Sequence, residues 1–396
     1  MRPSLFLCTV LLALAPVRAE DAALTPVRIA LLPQPLRVAW AEYHARSRMQ
    51  HALDLESLES ELRDHDLWQF TAAPEGGSPL PESKPDAWFA GDEARRLAAI
   101  VVSYQTPSGG WSKAVDYTKE PRPPAGQYTT GAGYSGTFDN NATVREIRFL
   151  ARVAAATGDT GWRQAVERGI GYVLGAQFPN GGWPQVWPLM GGYHDAITFN
   201  DNATLNALRL LRDAAAGRDA FATLAPAIRQ RAAGAVGRGV ACILATQVVV
   251  NGACTAWSQQ HDALTLAPCS ARAFEPVALA SVESSGLLRF LIELKSDRAD
   301  IAAAIEGAAR WFEKTALGGQ AWRSIDGDYQ LVPTPGAGPL WARFYEIGTD
   351  RPLFADRDRT LHYDVREISR ERRNGYAWFS DNPRSALKKY GAWRTR

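Results

Sequence analysis

A short motif that occurs twice, and then again in degraded form, constrains the fold of this chain more than any other feature. The segment QTPSGGW at 105–111 recurs as QFPNGGW at 177–183, and a degraded copy begins at Gln247 and ends at Trp257. A second motif, FDNNAT at 138–143, recurs as FNDNAT at 199–204. Self-similarity at a fixed period indicates stacked structural repeats. We therefore predict three copies of one unit: helix, Gly-Gly-Trp loop, Asx-rich helix start, helix.

Apolar residues recur at helical spacing through most of the chain after residue 88. No sustained alternation of period two, the pattern of a half-buried strand, interrupts them. Helical hairpins bury their apolar faces by stacking side by side. We predict an all-α fold in which three hairpins close into a ring, with equivalent loops gathered at one end around a single cleft. The predicted helical segments are 91–104, 140–156, 162–176, 202–215, 223–246, 282–294 and 299–316.

The N-terminus has the pattern of a secretory signal peptide. A basic start at residues 1–3 precedes an apolar run at 4–16, and Val17-Arg18-Ala19 resembles a cleavage site. We predict cleavage after Ala19 and export of the mature protein, to the periplasm or beyond. Residues 20–87 form a heterogeneous extension that ends in a Gly/Pro/Ser-rich linker at 72–86. The main domain is predicted to span residues 88–396.

Composition and charge exclude several classes of protein. Hydrophobic residues make up 46% of the chain and charged residues 22%, which is typical of a globular protein rather than a disordered one. Lys and Arg number 44 against 42 Asp and Glu, and Arg2 and Arg18 leave with the predicted signal peptide. No basic stripe with stacking aromatic residues accompanies this balance. We expect no nucleic-acid partner, no membrane partner and a monomeric protein.

Three cysteines remain once Cys8 is removed with the predicted signal peptide. Cys254 and Cys269 bracket a polar loop and are candidates for a disulfide in an oxidising compartment. Cys242 lies in an apolar helical segment and is expected to be a buried thiol. The sequence contains no CxxC pair, so a zinc site is not expected.

The two Asx-rich segments are candidates for a functional site. Asp139-Asn140-Asn141 opens one predicted helix and Asn200-Asp201-Asn202 opens another. One Asx side chain is enough to cap a helix, a contribution of about 0.5–2 kcal/mol, yet each segment has three. The surplus oxygen atoms suit a hard cation such as Ca²⁺. They suit a pair of catalytic carboxylates equally well, and the spacing leaves both interpretations open.

Six ordered motifs resemble one known family. The chain is similar to the pectate lyases of polysaccharide lyase family 10 over residues 88–396, nearly the whole chain after the N-terminal extension. The motifs are QTPSGGWSK (105–113), TFDNNAT (137–143), QFPNGGWPQVWPL (177–189), ITFNDNAT (197–204), WSQQHD with ARAFE (257–275) and RFYEIGTDRPLFADRD (343–358).

This resemblance implies an (α/α)₃ toroid, Ca²⁺ as cofactor and polygalacturonate as the substrate, cleaved by β-elimination. It implies that Asp139 and Asp201 act as catalytic and cation-binding acids, helped in cation binding by Asn140. It implies that Arg272 is the catalytic base. Residues implied to bind substrate are Lys113, Arg343, Arg357, His261 and Trp183.

The implied chemistry has consequences that the residues allow us to state. A guanidinium accepts a proton only when it is partly deprotonated, so Arg272 as base predicts an alkaline activity optimum. The sequence does not distinguish this role from stabilisation of the enolate by Arg272. Two alternatives remain open at this point. An inverting glycoside hydrolase would use Asp139 and Asp201 as acid and base without a metal. A non-catalytic sugar-binding protein would stack Trp111, Trp183 and Trp257 on sugar rings.

Overall fold

The computed structural model of the protein describes residues 22–77, 80–130 and 135–395. The predicted signal peptide at residues 1–19 lies outside the described residues. The α-helices are α1 Pro26–Ala30, α2 Leu36–Asp64, α3 Asp92–Ser103, α4 Val144–Thr157, α5 Thr160–Ala176, α6 Ala203–Ala216, α7 Pro226–Thr246, α8 Ser281–Glu293, α9 Ala299–Thr315, α10 Arg370–Gly375 and α11 Asn382–Arg394. Short 3₁₀ helices cover Asp86–Ala90, Asp139–Asn141, Gly192–Asp195, Asn200–Asn202, Asp219–Phe221 and Val365–Glu367. Among the described residues, no helix combines the length and the apolar character that crossing a membrane requires.

The helices begin and end where the sequence provides caps. In α4, Ile147 and Leu150 are buried on one face, and the helix is followed by Gly158 in the left-handed conformation, with φ of 69°. The carboxylate of Asp159 then accepts hydrogen bonds from the first backbone N–H groups of α5. In the same way, α6 is followed by Gly217, with φ of 59°. The resulting pairs α4–α5, α6–α7 and α8–α9 pack as neighbours, and α4, α6 and α8 contact one another in order.

The three predicted repeats are confirmed by equivalent hydrogen bonds. The side-chain amide of Gln105 donates to its own loop at Gly109 O and to Ala165 O in α5, each at 3.0 Å. Gln177 makes the same two bonds to its loop and to α7. Gln247 bonds its own loop and α9, each at 2.9 Å, although its loop has lost most of the motif. Each glutamine thus ties one loop to the second helix of its hairpin.

The prediction of an all-α fold, an (α/α)₃ toroid, is wrong. Helix accounts for about 50% of the structure, but strand accounts for 12%, distributed over several small sheets. The strands are β1 Ile197–Thr198, β2 Val249–Val250, β3 Ala253–Cys254, β4 Gln260–His261, β5 Pro268–Cys269, β6 Leu279–Ala280, β7 Gln320–Ile325, β8 Asp328–Pro333, β9 Trp341–Ala342, β10 Phe344–Tyr345, β11 Pro352–Ala355, β12 Leu361–His362 and β13 Phe379–Ser380.

Most of these strands are two residues long. They show no alternating hydrophobic pattern in the sequence because they form by long-range pairing of loops. The three-stranded sheet β1-β4-β5 pairs Ile197 with His261 and Gln260 with Cys269. A four-stranded sheet has the order β12-β11-β10-β6, and the remaining sheets are the pairs β13-β9, β2-β3 and β7-β8. The sheet β1-β4-β5 lies beside the second Asx turn and forms a wall of the site described below.

The N-terminal extension packs onto the rest of the protein. Trp40 and Tyr43 of α2 contact the ring of Phe178, with ring centroids 5.3 and 5.1 Å away, and the Tyr43 hydroxyl donates to Ala176 O at 2.9 Å. These side chains belong to the same hydrophobic core as α4–α9. Near the start of the described chain, Arg28 donates to the buried carboxylate of Asp262 at 2.5 Å.

The three cysteines of the described chain are free thiols, so the disulfide between Cys254 and Cys269 is not formed. Cys242 is buried in α7, as its apolar segment predicts, and burial raises the pKa of its thiol to about 12. It is therefore an unreactive core residue.

Candidate active site

A polar cleft lies where the two Asx turns meet the third loop. It is a cavity of about 280 Å³, lined almost entirely by hydrogen-bonding side chains. The first repeat contributes Lys113 and Asp139, the second contributes Asp201, and the third contributes Arg272 and Glu275. The three loops that the sequence predicts to gather at one end therefore do form one cleft.

The Asx side chains do not serve as helix caps. The residue preceding α4 is Thr143, whose hydroxyl bonds the backbone of Trp111 instead, and the residue preceding α6 is Asn202. Neither makes a side-chain capping bond to its helix within the described chain. In both turns the middle residue adopts the left-handed conformation, with φ of 51° at Asn140 and 50° at Asp201, which Asx residues tolerate better than most. The first two Asx residues of each turn line the cleft instead.

Asp139 is held as a carboxylate by a lysine. Its side chain is buried, and Lys113 Nζ lies 2.5 Å from its Oδ2. Burial raises the pKa of Asp139, but the hydrogen bond and the charge of Lys113 outweigh that effect, so the pKa lies below its usual value. Lys113, predicted to bind substrate, therefore lies in the cleft next to the acid.

Asp201 is the acid with the most unusual environment. The residue is exposed at the cleft, where neighbouring protein atoms partly shield its carboxyl group from solvent, and the carboxyl lies within hydrogen-bonding reach of Asp139. Burial, followed by the bond to Asp139 and the negative charge of Asp139, raises its pKa to about 7. Asn200 Nδ2 donates to Asp201 Oδ2 at 3.0 Å and fixes the carboxyl group in place.

The donor set fits a hard divalent cation. Two carboxylates that face each other repel unless a proton or a cation lies between them. The pKa of Asp201 is raised partly for this reason. The amide of Asn140 lines the same cavity and adds a neutral oxygen of the kind Ca²⁺ accepts. Over the described ranges, no group of three or more His, Cys, Asp or Glu side chains is placed to hold a metal. The protein alone therefore offers two carboxylates and amide oxygens, which leaves room for oxygen ligands from a substrate.

Arg272 is clamped by Glu275. Arg272 Nε donates to Oε2 at 2.9 Å and Nη2 donates to Oε1 at 2.5 Å, a bidentate pair between a half-exposed arginine and a buried acid. The hydrogen bond and the charge of Glu275 raise the pKa of Arg272, against the smaller opposing effect of burial. The predicted role of Arg272 as a base requires the opposite effect, a lowered pKa. Glu275 was missed as a functional residue, although it follows Arg272 in the ARAFE motif.

Arg343 lies behind the cleft rather than in it. Its side chain is only 11% exposed, and Nη2 donates to Glu283 Oε1 at 2.6 Å and to Asn200 Oδ1 at 3.0 Å. Because Asn200 in turn bonds Asp201, Arg343 orients the acid through an intermediate side chain. The structure therefore does not support direct substrate binding by Arg343.

Three further residues predicted to bind substrate lie outside the cleft. Trp183 is fully buried, and its Nε1 donates to Val173 O at 2.8 Å. His261 is fully buried, accepts from Ser258 N and bonds Leu266 O, and burial lowers its pKa to about 4. Arg357 forms a bidentate surface pair with Glu371. Both ring nitrogens of His261 and the Trp183 indole N–H are therefore already committed to the protein.

The buried tryptophans also bear on the sugar-stacking alternative. Trp111 and Trp257 are buried like Trp183, and each indole N–H donates to a backbone carbonyl of the preceding helix. The tryptophans of all three repeat loops thus anchor the repeats, and none of these indoles is accessible to a sugar ring. The tryptophans do not form the stacking surface that a non-catalytic sugar-binding protein would need.

A second cavity, larger than the cleft, lies elsewhere in the described part of the fold. It measures about 940 Å³ and lies between α4, α6 and residues 80–90. Its arginines are neutralised by neighbouring acids, such as Arg148 by Asp213 at 2.7 Å and Arg152 by Asp86 at 3.0 Å. The smaller cleft has paired acids with perturbed pKa values, which makes it the stronger candidate for the active site.

The sequence and the fold have counterparts among solved structures. The chain resembles solved enzymes of the polysaccharide lyase class. One is the family 10 polysaccharide lyase from Cellvibrio cellulosa, at 35% identity and a TM-score of 0.70, covering 81% of this chain and 100% of the other. An Asp-to-Ala variant of that enzyme in complex with trigalacturonic acid matches at 36% identity and a TM-score of 0.70, covering 77% of this chain and 95% of the other.

The pectic acid lyase family matches residues 105–387 of this chain. A comparison with functionally curated proteins gave no match. The chain belongs to the pectate lyases of polysaccharide lyase family 10, and it is an enzyme. The resemblance seen in the sequence motifs is thereby confirmed, and the reaction class is that of a lyase rather than a hydrolase.

Proposed function

We propose that this protein cleaves α-1,4-polygalacturonate by Ca²⁺-dependent β-elimination and releases 4,5-unsaturated oligogalacturonides. The observation that carries the proposal is the meeting of Asp139, Asp201 and Arg272 around one cavity of about 280 Å³. The complex of the related Cellvibrio lyase with trigalacturonic acid supports the substrate. We further propose that the enzyme acts as a secreted or periplasmic monomer, exported by the predicted signal peptide at residues 1–19.

Elimination requires removal of the C5 hydrogen, departure of the O4 oxygen and groups that offset the negative charge that develops. The C5–H bond breaks, its electrons form the C4=C5 double bond, and the O4 oxygen leaves and takes up a proton. The C5 hydrogen is weakly acidic because it lies next to an ionised carboxylate, so the site must offset the negative charge that develops there. Lys113 brings one positive charge into the cleft, although its 2.5 Å contact with Asp139 ties it to that acid.

Asp139, Asp201 and the Asn140 amide would hold the cation. A bound Ca²⁺ ion supplies Lewis-acid withdrawal of charge from a uronate carboxylate. Asp201 serves this purpose only as a carboxylate, and its raised pKa means that it becomes one as the pH rises through about 7. Arg343 helps from behind the cleft because its positive charge lowers the pKa of Asp201.

Arg272 is the proposed base. Its guanidinium must first lose a proton, and Glu275 opposes that loss by raising the pKa. Burial of the guanidinium acts in the other direction, and an alkaline solution favours the neutral form. The proposal therefore requires activity that rises with pH well beyond neutrality.

The decisive experiment is the ultraviolet absorbance of polygalacturonate during incubation with the enzyme, with and without chelator. We expect an increase from the unsaturated product that chelator abolishes and added Ca²⁺ restores. Reducing ends formed without absorbance would instead indicate hydrolysis. Arg272→Ala should remove turnover while calorimetry still detects binding of trigalacturonate, and Arg298→Ala, a surface variant away from the cleft, should leave both unchanged.

A further inference from the structure

Glu275 makes more contacts with Arg272 than an ordinary ion pair. Besides the two bonds to the guanidinium, Glu275 Oε2 accepts from the Arg272 backbone N–H at 3.1 Å. The backbone closes a tight turn over the same residues, since Glu275 N donates to Arg272 O at 2.8 Å and Ala271 N donates to Glu275 O at 3.1 Å. One acid thus fixes both ends of the arginine, its backbone and its guanidinium.

The acid is itself fixed from the opposite side. The Tyr376 hydroxyl donates to Glu275 Oε1 at 2.8 Å, and the side chain of Glu275 is only 2% exposed. The rings of Phe274 and Tyr376 lie beside the guanidinium, with Arg272 Cζ at 4.9 and 5.7 Å from their centroids. The guanidinium therefore has a fixed plane as well as a fixed direction.

The bonding pattern determines which nitrogen is available. A guanidinium has three nitrogens in one plane, and Nε and Nη2 both face Glu275. In the described structure no hydrogen bond holds Nη1. Because 46% of the Arg272 side chain is exposed, and both Arg272 and Glu275 line the cleft, Nη1 is the nitrogen left for a ligand.

We propose that Glu275 is the positioning residue of Arg272, which holds Nε and Nη2 and presents Nη1 as the atom that exchanges a proton with the substrate. This inference rests on the proposed function. In the proton transfer, the C5–H bond breaks and an N–H bond forms at Nη1 of the neutral guanidine. The electron pair of the C5–H bond becomes the C4=C5 double bond as O4 departs and takes up a proton from water.

The clamp also sets the pH at which Arg272 works. The charged and titratable groups that face Arg272 are Glu275, Tyr376, Tyr193 and Arg357. Of these, Glu275 has the largest effect, and it favours the protonated guanidinium. Glu275 therefore positions Arg272 but also raises the pH at which the guanidinium loses its proton. Removing the negative charge of Glu275 should lower that pH.

The substitution Glu275→Gln tests both the positioning of Arg272 and the pH dependence of its role. Glutamine keeps the size of the side chain but replaces one accepting oxygen with an NH₂ donor, so one arm of the bidentate pair is lost. We expect kcat at the optimum to fall roughly 10- to 100-fold, with KM changed less than about threefold, because orientation is lost but substrate contacts are not. We expect the alkaline rise of kcat to begin about one pH unit lower, because an opposite charge has been removed from the guanidinium.

Two controls separate positioning from general damage. Tyr376→Phe removes the 2.8 Å bond to Glu275 but keeps the negative charge of Glu275, so kcat should fall with a smaller shift of the profile to lower pH than Glu275→Gln causes. Asp300→Asn breaks a bidentate surface pair with Arg298 and should change neither. An unshifted profile in Glu275→Gln, or a KM that rises as much as kcat falls, would overturn the proposal.

A readout that does not need turnover distinguishes this inference from the proposed function. In the wild type, the Arg272 Nε–H should give a slowly exchanging nitrogen-15 NMR signal, assigned by its loss in Arg272→Lys. Glu275→Gln should reduce that protection, because the remaining amide oxygen is a weaker acceptor than the carboxylate. A wild type that forms no unsaturated product would refute the proposed function alone, whereas an Nε–H that exchanges equally fast in both proteins would refute the clamp.

Discussion

Asp139 and Asp201 meet in the cleft although they occupy non-equivalent positions of two related turns. When TFDNNAT at 137–143 is aligned with TFNDNAT at 198–204, Asp139 corresponds to Asn200, and Asp201 corresponds to Asn140. The turns pack against each other, so each acid faces the other turn rather than its own counterpart. The exchange of Asp and Asn between the copies converts a repeated structural element into one asymmetric acidic pair.

Asp201→Asn should abolish turnover without unfolding the protein. Asparagine keeps the shape of the side chain and tolerates the left-handed backbone at φ of 50°, but it removes the carboxylate that would hold the cation. We expect the rate of unsaturated product formation to fall at least about 100-fold, since the Lewis-acid contribution is lost. The thermal midpoint should stay close to that of the wild type. Asp66→Asn, at an exposed position with φ of 52°, is the matched control, and normal turnover in Asp201→Asn would refute the assignment.

The acidic pair should titrate near neutrality in the metal-free enzyme. The folded-state pKa of Asp201 is about 7 against an ordinary value of 3.8, so the folded protein binds this proton more tightly than the unfolded chain does. Stability contributed by the protonated form is therefore lost as the pH rises towards 7, and Asp201→Asn should remove that part of the pH dependence. Carbon-13 NMR of the labelled carboxyl should show a midpoint near pH 7. Asp139→Asn should lower it, and a wild-type midpoint below about 5 would contradict the paired geometry.

The helices of the repeats could be predicted because their causes are local. The predicted segment 162–176 became α5 at Thr160–Ala176, and 299–316 became α9 at Ala299–Thr315, since each carries its own apolar stripe and a recognisable start and end. The small sheets could not be predicted from local sequence, because Ile197 pairs with His261 only after the loops have been brought together. The exception is the hairpin β7–β8, whose Asp326-Gly327 turn is a signal that the helical interpretation overlooked.

Only part of the predicted set of site residues lies in one cleft, and the role of each residue stays a prediction. Asp139, Asp201, Lys113 and Arg272 do line one cleft, because their motifs sit on loops that repetition gathers at one end. A motif does not reveal the direction in which a side chain points. Arg343 turns inward because Glu283 and Asn200 lie behind it.

Trp183→Phe should separate the anchoring role of this residue from substrate stacking. Its indole is fully buried, and Nε1 donates to Val173 O. Phenylalanine leaves that carbonyl unpaired and a void beside it, a loss of about 2–3 kcal/mol in the free energy of unfolding. KM for polygalacturonate should not change. Urea denaturation and steady-state kinetics measure the two effects, and a raised KM at unchanged stability would restore the stacking role.

Arg28→Ala should show that the N-terminal extension supports the cleft from behind. Arg28 Nη2 lies 2.5 Å from Oδ2 of Asp262, a fully buried carboxylate that follows the wall strand β4, and the arginine itself is 24% exposed. Removing the guanidinium leaves a buried charge without its cationic partner, so we expect a loss of about 2–3 kcal/mol in the free energy of unfolding.

Arg63→Ala breaks only exposed pairs, with Glu56 and Glu59, and should cost less than about 1 kcal/mol. The double variant Arg28→Ala with Asp262→Asn should recover part of the lost stability, because the unpaired charge is then gone. Chemical denaturation of the four proteins, wild type included, measures these differences. Equal losses in Arg28→Ala and Arg63→Ala would mean that the extension lies on the surface of the enzyme without supporting it, and that the wall of the cleft is held by the repeats alone.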